Sequence, residues 1–195
     1  MKSIKLAAIL YLIAFSVSFA QTNTWKFDLA HTNVQFSVSH MVISSVTGKF
    51  KKFDGVVTSE KTDFQDAKIE FNIESSSIST DNDKRDEHLR SADFFDVQKF
   101  SQIKFQSVSF KKIKDNKYKL TGNFTMKDVT KKITLDAEFN GTIKDPWGNT
   151  KAGFKLTGTI NRFDYHLNWN KTIEAGGLVA GKDVDFTIYV ELQKN

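Results

Sequence analysis

The sequence predicts an all-β domain: one antiparallel sheet of about eight strands closed into a barrel, with a single short helical insert near residues 82–93. Three observations predict it. First, segment after segment alternates large apolar residues with polar ones. Val34, Phe36 and Val38 alternate with Gln35, Ser37 and Ser39; Ile69, Phe71 and Ile73 with Lys68, Glu70 and Asn72; Ile133, Leu135, Ala137 and Phe139 with Thr134, Asp136 and Glu138; Val184, Phe186, Ile188 and Val190 with Asp185, Thr187 and Tyr189. A period of two dries one face of a strand and wets the other. Second, almost every segment is of this type, and closure is the economical way to bury one face of so many strands. Third, Pro146 is the single proline in 195 residues, so few ladder donors are missing.

Taken in order, the alternation places strands over residues 25–29, 33–42, 46–59, 66–74, 103–113, 117–126, 131–143, 151–163 and 184–192. Asp115-Asn116 and the run from Asp145 to Asn149 are turn signals. Gly122, Gly141 and Gly158 fall inside strands, where glycine marks bulges or the bends of a barrel. The period breaks between Thr80 and Phe95. A helix is expected there, with Asp81, Asn82 or Asp83 as N-cap and acids in its first turn. On a helical wheel Arg85, His88, Leu89, Ala92 and Phe95 share one face about 120° wide, with Asp86, Glu87 and Arg90 outside it.

Lys2 and Lys5, the apolar run from Leu6 to Phe19 and the small residues around Ala20 form a secretory leader expected to be cleaved after Ala20. Residues 21–195 are then one domain, long enough for a substantial core. There is no cysteine, so neither a disulfide nor thiol chemistry is available. The formal net charge is +5, and it falls when Lys2 and Lys5 leave with the leader. The clusters Lys111, Lys112, Lys114 and Lys131, Lys132 are interspersed with acids. They read as a solvated rim rather than a surface for an anionic membrane or nucleic acid.

The run from Arg85 to Asp96, RDEHLRSADFFD, resembles the central signature of the YceI-like family of secreted lipid-binding proteins. Other pieces resemble it in order: residues 25–32, WKFDLAHT; 36–41, FSVSHM; 48–50, GKF; 120–126, LTGNFTM; 161–164, NRFD; and 181–184, GKDV. The resemblance implies an extended lipocalin-like barrel in the bacterial periplasm or outside the cell. It also implies a long-chain isoprenoid or acyl amphiphile held inside: a polyisoprenoid, an isoprenoid quinone or a fatty-acid derivative. Any bound group would be such a lipid, a polyprenyl quinone or polyprenyl phosphate, rather than a cofactor. Ser101 and His166 depart from the family pattern, standing where proline and glycine are common.

The expected cavity lining is Phe36, Val38, His40, Phe71, Ile73, Leu89, Phe95, Phe105, Phe124, Met126, Phe139, Phe154, Phe186 and Ile188. The same residues can form a solid core, since an eight-stranded barrel is only wide enough to be filled or to hold one slim ligand. Arg85, His88 and Arg162 are the candidates for a ligand's head group, because a guanidinium fork suits phosphate. Alternatively Arg85 and Arg162 latch the structure by pairing with Asp28, Asp96 or Asp164. Trp147, Tyr165 and Trp169 could gate a mouth, touch a membrane transiently or plug the barrel ends. The four histidines show no metal-binding spacing, and no catalytic motif is present. A binding protein is therefore expected rather than an enzyme. The alternatives are a lipid isomerase or cyclase using His40 or His88 with a carboxylate, and a small outer-membrane barrel with its apolar face outward.

Overall fold

The computed structural model describes residues 22–173 and 176–195; the leader segment lies outside the described residues. The strands are β1 (Asn23–Phe27), β2 (Asn33–His40), β3 (Ser44–Phe50), β4 (Phe53–Ser59), β5 (Lys68–Glu74), β6 (Ile78–Ser79), β7 (Gln102–Lys114), β8 (Lys117–Met126), β9 (Val129–Lys144), β10 (Thr150–Asn161) and β11 (Ala180–Lys194). One α-helix, α1 (Asp83–Arg90), follows β6. β1, β4, β5, β7, β8, β9, β10 and β11 hydrogen-bond in that order and β11 returns to β1, which closes an eight-stranded antiparallel barrel. The dry face of the alternation is the inside. Val34, Leu120, Leu135 and Leu156 point inward and are buried, while Lys119 and Asp136 pair on the outside. An outer-membrane barrel turns its apolar face the other way.

Pairing partners change at two places along the sheet. The expected strand 46–59 is β3 plus β4, with the bend at Lys51 and Lys52, because the two halves have different neighbours. β3 pairs with β2 and β6, and β4 with β1 and β5. Likewise β11 pairs with β1 through residues 192–194 and with β2 through residues 180–189. β2 stops at His40, two residues early, because Met41 and Val42 take positive φ.

The changeover from β1 to β2 is held by an ionic cluster on the outside of the barrel. Asp28 accepts from the Lys151 ammonium at 2.6 Å and pairs with His31 at 3.1 Å; Lys151 also reaches Glu191 at 3.1 Å. The Asp28 amide donates to the Glu191 carbonyl at 2.8 Å. Lys151 is buried beneath this connector. Asp28, His31 and Glu191 converge closely enough to ligate a metal, but the Lys151 ammonium already serves as their cation.

The interior solves a volume problem. Gly158, Phe186, Phe36 and Gly48 form one row across β10, β11, β2 and β3. A Cβ on Gly158 would sit 2.6 Å from Leu135 and 3.1 Å from the Phe186 ring, and one on Gly48 would run into the Phe36 ring. Gly122 does the same for Phe105. Inward glycines thus leave space for neighbouring rings, as a narrow barrel requires. Gly141 is different: its φ is +111° beside the register shift where β9 gains Asn140 opposite β10, a bulge only glycine enters freely.

One end of the barrel is closed. Phe64, on the β4–β5 connection, packs its ring 5.0 Å from Trp25, 5.6 Å from Phe139 and 5.1 Å from Phe154. The Tyr118 hydroxyl holds the connection by donating to the Asp63 carbonyl at 3.0 Å.

Two outcomes are expected. Gly158→Val should cost about 2 kcal/mol through overpacking, read as a fall of about 4–8 °C in thermal midpoint. The Lys151 ammonium, against the opposing effect of burial, holds the Asp28 carboxyl at about 2. Its stabilisation is therefore present above the unfolded value near 3.9 and is lost as pH falls through about 2. Asp28→Asn should remove about 2 kcal/mol at neutral pH and flatten the urea-midpoint profile between about pH 4 and pH 2. On the alkaline side, Asp28 raises the Lys151 pKa, so the pair persists until pH passes that raised value.

Candidate functional site

The opposite end is not filled. A cavity of about 350 Å³ runs from the plug towards that end, within the range of ligand sites. Its deep walls are apolar, among them Phe71, Ile73, Phe105, Phe154, Leu156, Phe186 and Ile188. Most of the polar lining residues gather at the mouth: Ser39, His40, Thr80, Arg85, His88 and Arg162; Gln35 and Lys104 are the others. Four connections surround that mouth: the β2–β3 turn, the segment 75–101 carrying α1, the β8–β9 turn, and the β10–β11 connection.

Thirteen of the fourteen residues expected in the lining are there: Phe36, Val38, His40, Phe71, Ile73, Leu89, Phe95, Phe105, Phe124, Met126, Phe154, Phe186 and Ile188. Phe139 is not. It stacks 4.9 Å from Phe154 and against Phe64, in the solid closed end.

Helix α1 is shorter than the expected span and docks differently. Asn82 is its N-cap, accepting from the Arg85 amide at 3.0 Å. Asp86, expected off the docking face, is buried, because its carboxylate accepts from the Thr80 amide at 2.8 Å and hydroxyl at 2.5 Å. Arg90 donates to the carbonyls of Ser76 and Ile78 at 2.8 and 2.9 Å. The helix ends at Arg90, and Phe94 and Phe95 turn inward from the irregular segment beyond it.

The three head-group candidates converge on the mouth, but not as equivalents. Arg162 is 3% exposed. It donates to four backbone carbonyls: Gly181 at 2.8 Å, Trp169 at 2.9 Å, Ala180 at 3.0 Å, and Leu167. Its charge is met by dipoles and by the Phe163 ring at 4.4 Å; burial lowers its pKa. Asp164, a suggested latch partner, pairs instead with Lys131 at 3.0 Å. Arg85 is exposed on the helix and bonds the Thr80 hydroxyl at 2.7 Å and carbonyl at 2.9 Å. Three of its five N–H groups remain available. Neither arginine uses the carboxylates suggested as latches.

His88 bridges the helix to the β10–β11 connection. Its ring lies edge-on to Phe94 at 5.1 Å and to Trp169 at 5.2 Å, and Nε2 meets Asp93 at 2.9 Å. Trp169 lines the cavity, Tyr165 is buried, and exposed Trp147 sits at the far, closed end. His40 Nδ1 meets the Val179 carbonyl at 3.0 Å. His166 has φ 58°, the left-handed conformation that glycine adopts freely, and is steadied by Asp128 at 3.0 Å. Its place in a left-handed turn explains why glycine is common there. The carbonyl cage around Arg162 and the Trp169–His88–Phe94 contact have no sequence pattern of their own.

A closed antiparallel barrel with one hollow, dry interior and a polar mouth defines a lipocalin-like binding protein. The chain belongs to the YceI family: the YceI-like domain model matches residues 25–192. A UPF0312 protein of Staphylococcus aureus, strain bovine RF122 / ET3-1, is 42% identical over 168 residues, 86% of this chain and 95% of that protein. The crystal structure of the Campylobacter jejuni YCEI protein is similar, with a TM-score of 0.67 and 28% identity, covering 100% of this chain and 99% of that one. A polyisoprenoid-binding domain from Saccharophagus degradans, implicated in plant cell wall breakdown, shares the fold: TM-score 0.65, 14% identity, 88% of this chain and 98% of that one.

Arg162→Met should leave four carbonyls without their donor and cost about 3 kcal/mol or more, with faster amide exchange over residues 167–173 and 176–181. Arg162→Lys should not restore stability, because one ammonium cannot span the same fork.

Proposed function

We propose that this protein is a secreted or periplasmic carrier of a long amphiphile, an isoprenoid or acyl lipid, released from its leader after Ala20. The carrying observation is the distribution of polarity in the cavity: mostly apolar walls in depth, with Ser39, His40, Thr80, Arg85, His88 and Arg162 clustered at one mouth. An apolar tail gains about 25 cal/mol for each Å² it buries, so binding needs no catalytic group. Family membership and the shared fold of a polyisoprenoid-binding domain support this reading. The head group would meet Arg85 and His88, while Arg162, mostly committed to carbonyls, holds the rim in place. Transport, storage and sequestration all fit the same geometry.

Native mass spectrometry of the mature protein from its own host, followed by organic extraction, tests the reading. A stoichiometric long-chain lipid is expected. A clean apo mass, together with no tryptophan quenching by added polyprenyl quinones or phosphates, would refute it. Arg85→Ala should weaken binding of a polyprenyl phosphate about tenfold or more with unchanged urea stability; unfolding would instead mark Arg85 as a structural latch. An enzymatic role through the His88–Asp93 pair would show as turnover of the lipid that His88→Ala abolishes.

A further inference from the structure

The β2–β3 turn breaks three regularities at once. Met41, Val42 and Ile43 form an apolar run between strands that alternate. They are 40%, 72% and 87% exposed. Met41 and Val42 have φ of 50° and 66°, a conformation that hairpins ordinarily assign to asparagine and glycine and that strains a β-branched residue. Phe64 has a similar φ of 61°, but its side chain is 1% exposed in the closed-end core, where packing offsets the strain. Among the described residues Val42 gains no comparable burial. Strain without internal compensation points to a use outside the molecule.

The position of the turn identifies the contact. His40 and Ser39, just before it, line the cavity mouth, as do Val179 and Ala180 across from it. The Met41 amide donates to the Val179 carbonyl at 3.0 Å, so the turn and the β10–β11 connection form one lip. Half-buried Ile173, Leu178 and Val179 extend its apolar surface, and exposed Lys171 and Lys182 flank it. A protruding apolar tip beside lysines matches a bilayer interface with anionic head groups. We infer that residues 41–43 are a membrane-contact tip that seats the mouth of the barrel on a lipid bilayer. The inference rests on the carrier reading in one respect: an apolar ligand scarcely exists free in water, so its source is a membrane and its entrance must face one. The exposed aromatic Trp147 cannot do this, being at the plugged end.

Vesicle flotation tests the tip without reference to the cavity. The mature protein should float with vesicles of phosphatidylethanolamine and phosphatidylglycerol, and less with phosphatidylcholine alone. Val42→Asn combined with Ile43→Ser should lower the partition coefficient at least about tenfold. The same variant should keep or raise the thermal midpoint, because asparagine accepts the left-handed backbone. Uptake of a soluble naphthylamine dye should be unchanged, since neither residue lines the cavity. Failure of the wild type to float, or equal flotation of the variant, would overturn the tip. A self-associated wild type that becomes monomeric in the variant, with neither floating, would make the turn a contact between copies and also overturn it. Failure of the wild type to take up dye would count against the carrier reading alone.

Discussion

A sheet closed on itself has no edge, and the condition for closure here is that β11 serves two neighbours on one side. Its residues 192–194 pair with β1 and its residues 180–189 with β2. The chain must therefore leave the ladder between Phe27 and Asn33 and rejoin it without opening the barrel. The Asp28–Lys151–Glu191 cluster covers that interruption, and the Asp28 amide bonds the Glu191 carbonyl of the strand being passed. A buried ion pair is weak evidence for stability by itself. Here it fixes a position, because the connector has no ladder of its own.

Closure also sets the interior's dimensions. Eight strands leave room for side chains or one thin ligand, and this chain does both at different depths. At the plugged end Phe64, Phe139 and Phe154 interlock with Trp25 and Tyr118. Towards the other end, glycines at 48 and 158 leave room for Phe36 and Phe186 to lie against the wall, and the space between the walls stays open. The large rings thus define the bore without filling it.

The mouth owes its shape to backbone carbonyls as much as to side chains. Arg162 gathers the connection after β10 and the start of β11 onto one guanidinium. Asp86 and Arg90 pin α1 to the segment just before it. Between these two fixed parts the contact is aromatic: His88 against Trp169, with Phe94 beside them. Edge-on contacts of this kind have a preferred geometry but are worth only about 0.5–1.5 kcal/mol each beyond the area they bury, less than the bond networks on either side. The rim is firm at its roots and joined across its centre by a weaker contact, a suitable arrangement where a lipid has to pass.

The sequence by itself determined most of the strands, the helical insert and the closure, because a period of two is local and repeats in each segment; the break between β3 and β4 and the short β6 were not legible in it. All but one of the residues it marked for the cavity are found in the lining, since inward phase is the same property. Phe139 kept that phase and still lies outside the cavity, because depth along the barrel is not encoded in phase. Whether the interior was solid or hollow depended on how rings from different strands met glycines opposite them, which only register decides. Arg162 was legible as a head-group candidate or a latch. Its partners were not, because every residue offers a carbonyl and the choice among them is made by the path of the chain. The same holds for Asp86, whose acceptor role comes from Thr80 folding back over the helix start. Met41 and Val42 were read as the end of a strand; that they and Ile43 instead cap the lip of the cavity, strained and exposed, was decided by tertiary structure.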